Sequence, residues 1–158
     1  MRRSYGYGSA MQRALLVVLV FPMLLAACGG GDRGPRLTKA EFASKADAIC
    51  EKYNKQAESL DSPNSLTELA DVADNTIPIL RNAIKEWRKL NPPQSEADTV
   101  DEWINSVDDL VGDLEEIRDQ ADKGSMQGVQ KVVPQADQHN RRTNELATQL
   151  GMTVCNQN

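Results

Sequence analysis

The chain has 158 residues, with 18 basic and 23 acidic side chains, one histidine and three cysteines, which suits one domain with one modest core. Arg2, Arg3 and Arg13 precede every acid, so residues 28–158 hold 15 basic against 23 acidic groups. That balance argues against nucleic acid as a partner, because binding it requires a basic patch to neutralise phosphates.

The arginine-bearing N-terminus leads into an apolar run from Ala14 to Ala27, the layout of a secretory signal over residues 1–27. As a helix this run rises about 21 Å, short of a hydrocarbon core of about 30 Å. Pro22 also interrupts it, so a spanning anchor is disfavoured. Its end, Leu25-Ala26-Ala27-Cys28, resembles a bacterial lipobox. The resemblance implies that the Cys28 thiol receives a diacylglyceryl group and that cleavage leaves Cys28 as the first mature residue. Two acyl chains meet the requirement for stable anchoring.

Residues 28–37 read as the lipidated cysteine and a flexible tether, since Gly29 to Arg36 is glycine-rich with nothing to bury. The domain proper is expected over residues 38–158. Thr38 and Glu41 spell a capping box, with Leu37 stapled to Phe42, and open a helix over 38–60 along Phe42, Ala46, Ile49, Tyr53, Ala57 and Leu60. A second box, Ser65 with Glu68, opens 65–90, which carries Leu66, Leu69, Ala73, Ile77, Leu80, Ile84 and Trp87; Pro78 is expected to kink or break it. Ser95 is the expected start of 95–123, with Val100, Trp103, Val107, Leu110, Leu114, Ile117 and Ala121 on one face. Gly124 ends it and Ser125 caps 125–150, which carries Met126, Val129, Val133, Ala136, Leu146 and Leu150, with Pro134 inside and Gly151 at its end. Four such helices on short turns predict an all-α, up-down-up-down four-helix bundle.

Export places the domain where disulfides persist, and lipidation of Cys28 leaves the even pair Cys50 and Cys155. Cys50 lies about 18 Å along the first helix, and a tail from Gly151 can reach it in about 16 Å of extended chain. The expectation is a Cys50–Cys155 bond, with the C-terminal tail folded back onto helix 1.

Catalytic parts are scarce: the sequence has no H-E-x-x-H, G-x-S-x-G, phosphate loop or haem-attachment motif. The expectation is therefore no catalytic residues, no metal ligands and no cofactor. His139 reads as a half-buried structural histidine; the alternative is a lone ligand with Met126 or Met152 as a remote partner. From Asp98 to Asp122 ten acids face only Arg118. Those of the first turns, Glu96, Asp98 and Glu102, suit a positive helix end and the basic residues Arg81, Lys85, Arg88 and Lys89 across the turn. Asp108, Asp109, Asp113, Glu115, Glu116, Asp119 and Asp122 run against the helix dipole. They form either a solvated face or an acidic interaction surface for a basic envelope protein or divalent cations.

The lipobox, "FASKADAIC" over Phe42 to Cys50 and "LGMTVC" over Leu150 to Cys155 together resemble small helical lipoproteins of uncharacterised function found in actinobacteria. The resemblance covers the whole chain. It implies a membrane lipoprotein on the extracytoplasmic face, supports the disulfide, and transfers no activity. The leading expectation is a non-catalytic interaction or binding module of the cell envelope. The alternative is a carrier of a lipid, haem or other apolar ligand in a kinked bundle, and an enzyme comes third.

Overall fold

The computed structural model describes residues 33–157; the expected signal sequence and Cys28 lie outside them. Four helices follow one another: α1 Lys39–Ala57, α2 Leu66–Trp87, α3 Ala97–Asp122 and α4 Met126–Gln149, with a 3-10 turn at Gln94–Glu96. The all-α bundle is as expected. Cross-helix pairs show the antiparallel register, because partners rise on one helix as they fall on the next. On α2 and α3, Arg88 meets Asp108 and Arg81 meets Glu115; on α3 and α4, Ser106 meets Thr143 and Asp113 meets Gln135. Among the described residues no helix is long and apolar enough to cross a membrane.

The helix ends follow from local chemistry. Thr38 Oγ1 accepts the Glu41 amide while the Glu41 carboxylate accepts the Thr38 amide, completing the capping box. At the second start only half a box forms. Ser65 Oγ accepts from Glu68 N, but the Glu68 carboxylate reaches one residue further, to the Asn64 amide at 2.6 Å. Ser95 does not cap α3; Pro92 and Pro93 hold the chain extended, a 3-10 turn follows, and the helix starts at Ala97. The first two connections, residues 58–65 and 88–96, are thus longer than expected. Pro78 and Pro134 break neither helix: α2 and α4 run through them, with both rings exposed. In α3 and α4 a glycine in the left-handed region ends the helix, Gly124 at φ 68° and Gly151 at φ 82°. In each, the next residue donates back into the last turn, Ser125 N to Gln120 O and Met152 N to Ala147 O.

Two buried clusters replace the single core expected. The larger joins Phe42, Ala46, Cys50 and Tyr53 of α1 to Ile77, Ile84 and Trp87 of α2, Trp103, Val107 and Val111 of α3, and Leu146, Leu150 and Met152. Trp87 and Trp103 meet at its centre with ring centroids 4.6 Å apart. The smaller, Ala70, Ile117, Ala121, Val129 and Val132, draws on α2, α3 and α4 only, since α1 ends at Ala57. Val132, not Val133, faces inward on α4, and Met126 is 53% exposed. On α3, Val111 is buried where Leu110 was expected, and Leu110 is half-buried.

The expected disulfide is present: Cys50 and Cys155 are bonded, with Cα atoms 5.4 Å apart and a sequence separation of 105. Beside it the Asp47 carboxylate receives the whole turn of the tail. Thr153 N and Oγ1 donate to Oδ2 at 2.8 and 3.0 Å, and the amides of Val154 and Cys155 donate to Oδ1 at 3.0 and 3.1 Å. Partial burial pushes the Asp47 carboxyl up, but the amides of Thr153, Cys155 and Val154 outweigh it and hold it below the usual carboxylate range. α1 is further joined to α2 by Glu86, which accepts from Lys52 at 2.6 Å and Tyr53 Oη at 2.8 Å.

Two outcomes follow for stability. Cys50→Ser with Cys155→Ser is expected to lower the unfolding free energy by about 3–5 kcal/mol in urea titrations, as a long closed loop requires. Because the Asp47 carboxyl titrates lower folded than unfolded, its contribution is complete above an unfolded value of about 3.9 and is lost as pH falls through the folded value. Asp47→Asn is thus expected to weaken the fold at pH 7 by about 1.5–3 kcal/mol and to flatten the acid limb of the stability curve. A variant as acid-sensitive as the parent would refute this.

Candidate functional site

Between the two clusters the α3–α4 contact turns polar. The stripe that carries Trp103, Leu110 and Ile117 also carries Ser106 and Asp113 at the same three- and four-residue spacings, so both face inward; Asp113 is 3% exposed and Ser106 6%. α4 supplies the partners. Gln135 Nε2 donates to Asp113 Oδ1 at 2.8 Å, and His139 Nδ1 lies 2.6 Å from Oδ2. With the carboxylate as acceptor, Nδ1 is the donor of this bond. The Ser106 hydroxyl donates to the His139 backbone oxygen at 3.2 Å and shares a 2.8 Å bond with Thr143 Oγ1.

His139 and Ser106 reach the floor of an open groove of about 430 Å³. Its walls are charged, with Asp98, Asp101, Glu102 and Asp109 from α3 and Arg142 from α4. Serine, histidine and aspartate thus come together without forming a nucleophilic relay, because the Ser106 hydroxyl meets the backbone carbonyl of His139 and not its ring. Among the described residues no group of three or more His, Cys, Asp or Glu is placed to hold a metal ion. The remote methionines stay remote in character: Met152 is 1% exposed within the core and Met126 is on the surface. What the arrangement does is position α4 against α3, since one turn of slippage would leave a buried carboxylate and two hydroxyls without their partners.

The expected acidic surface is redistributed. Asp113 does not belong to it, being buried under His139 and Gln135. Asp108 pairs with Arg88 at 2.9 Å and Glu115 pairs with Arg81. Arg118 donates to Asp119 at 2.7 Å, and this bond holds the Asp119 carboxyl below the ordinary range. The basic residues of α2 therefore serve the later acids rather than those of the first turns, because the antiparallel register carries them further along α3. Glu96 pairs instead with Lys39 and Glu102 with Arg142. Asp109, Glu116 and Asp122 remain exposed.

The sequence reading missed the buried Asp113–Gln135–His139 group. Its signal was present in the helical phase of Asp113, three residues after Leu110 and four before Ile117.

Compared with protein-family models, curated proteins and solved structures, the chain matches none.

A double-mutant cycle checks the pairing of α3 with α4. Asp113→Ala and His139→Ala are expected to show a coupling energy of about 0.5–3 kcal/mol in urea unfolding. Strictly additive losses would mean that the pair does not hold the register.

Proposed function

We propose that the protein is a membrane-anchored extracytoplasmic lipoprotein, related to small helical lipoproteins of actinobacteria, that serves as a non-catalytic interaction module of the cell envelope. The observation that carries this reading is the bond between Cys50 and Cys155. Such a bond persists in an oxidising compartment, and it leaves Cys28, directly after Leu25-Ala26-Ala27, as the odd thiol in the position of a lipidated cysteine.

The shape of the domain supports a binding module over a carrier. A carrier of apolar ligands needs an enclosed apolar cavity. Here the interior between the helices is occupied by Phe42, Trp87, Trp103, Leu146 and Met152. The groove at His139 and a depression of about 660 Å³ beside the 58–65 connection are open and lined chiefly by polar side chains. Of the later acids of α3, Asp109, Glu116 and Asp122 are left for a basic envelope protein.

Cys28→Ser expressed in the native host is expected to shift the protein from the membrane to the soluble extracytoplasmic fraction and to abolish labelling by radioactive palmitate. Continued membrane retention with no label in the parent would overturn the anchor. Crosslinking and capture of the lipidated protein from its own membrane tests the module: a stoichiometric apolar ligand without a protein partner would favour the carrier.

A further inference from the structure

We propose that the half of the bundle beyond the end of α1 carries a docking groove for a basic amphipathic helix of a partner protein, an inference that deepens the interaction-module reading and rests on it. α1 is short for this bundle. Its Tyr53 hydroxyl meets Glu86 of α2; α1 ends four residues later at Ala57, while α2 extends twenty residues in that direction to its start at Leu66. At about 1.5 Å per residue, α2 outreaches α1 by about 24 Å. The connection 58–65 does not stand in for the missing turns. It follows α2 along Glu68, Asp71, Val72 and Asn75, and of its residues only Leu60 is withdrawn from solvent. The opposite end is closed, since Asn91 Nδ2 donates to Gly34 O at 2.6 Å, Leu37 N to Asn91 O at 2.9 Å, and Arg36 Nη1 to Pro92 O at 3.0 Å. The tether expected to run to residue 37 is thus already part of the fold from Gly34.

The face that α1 leaves uncovered is apolar. Ala147, Asn140, Val133 and Met126 lie along α4 at seven-residue intervals and so share one face. Ala147 is 0% exposed within the larger cluster, which α1 completes, and Asn140 is half-buried. Beyond the end of α1, Val133 is 41% and Met126 53% exposed, the large hydrophobic side chains left to solvent among the described residues. On α2, Leu66 and Leu69 border the smaller cluster and are only partly buried. The stripe is covered where the bundle has a fourth helix and bare where it does not, so a helix of about 16 residues completes it.

Charge then selects the occupant. Residues 58–81 and 112–138, which make up this half, hold 11 acidic and four basic side chains, against 12 acidic and 11 basic in the rest of residues 28–158. Of the four, Arg81 and Arg118 are already paired with Glu115, Asp74 and Asp119. Asp137, one turn after Val133, is exposed beside the stripe. A second copy of the chain brings the same negative excess and is repelled. A helix with one leucine-rich face and one face of lysine or arginine matches both the apolar stripe and the field around it.

The test uses the full chain purified from its host, with the photocrosslinker p-benzoylphenylalanine in place of Val133 or, as a control on another side of α4, of the exposed Gln138. The probes are two synthetic amphipathic helices of about 16 residues, one of leucine and lysine, the other of leucine and glutamate. Crosslinking of the leucine–lysine helix is expected to be severalfold stronger from position 133 than from 138, and to be lost with the leucine–glutamate helix. Met126→Gln, at a residue 53% exposed and outside both cores, is expected to keep the fold and to lower the yield at 133 severalfold. Equal yields at the two positions would mean that the acidic field alone attracts the probe, and would overturn the groove. Crosslinked pairs of this chain at 133 without any peptide would assign the face to a second copy and overturn it also. Both results leave the interaction module standing. That reading fails separately, if capture from its own membrane brings down an apolar ligand and no protein, and the groove's partner fails with it.

Discussion

The arrangement depends on one clamp, the grip of the C-terminal tail on the middle of α1. α1 contributes nothing to the smaller cluster, and it is held chiefly by α2 and the tail. A 19-residue helix would be marginal by itself in water. The disulfide fixes where the tail lands, and Asp47 fixes how, since its two oxygens gather the amides of three consecutive residues. The helix that enters first and the segment that ends the fold are thereby made neighbours, so the domain closes on itself.

A second constraint works within α3 and α4. Apolar packing alone tolerates small shifts along two helices whose stripes repeat every three or four residues. The buried carboxylate of Asp113, with one partner on each oxygen, does not. It sits between the two apolar clusters and gives the long helix pair a single register. The surface charges follow from that register: Arg81, Arg88 and Arg118 spread along α3 and neutralise acids that would repel one another in an isolated helix.

Features written in local chemistry were legible in the sequence. Thr38 with Glu41, Ser125, Gly124 and Gly151 each act within a few residues, and each acts as its type predicts. The cysteine pair was legible because reading Cys28 as the lipidated residue leaves only Cys50 and Cys155 to pair. Features decided between helices were not. Val132 and Val133 both fit the phase of Val129, and packing against Ile117 and Ala121 selects Val132. Asp113 was read as surface because of its charge, although its position in the stripe said otherwise. Ser95 looked like a cap, but the preceding proline pair delays the helix to Ala97. The pinning of Gly34 by Asn91 depends on an asparagine 57 residues away and has no local signature.

That pin has a mechanical consequence. A load applied to the chain ahead of residue 33 reaches the fold through Gly34, Arg36 and Leu37, which are bonded to the α2–α3 connection. The pull is shared at once between α1 and the junction of its neighbours, instead of unzipping α1 from its first turn. Further along, the covalent link at Cys50 ties α1 to the tail that follows α4. Tension entering at Gly34 is therefore carried across all four helices, and the domain bears it as one body.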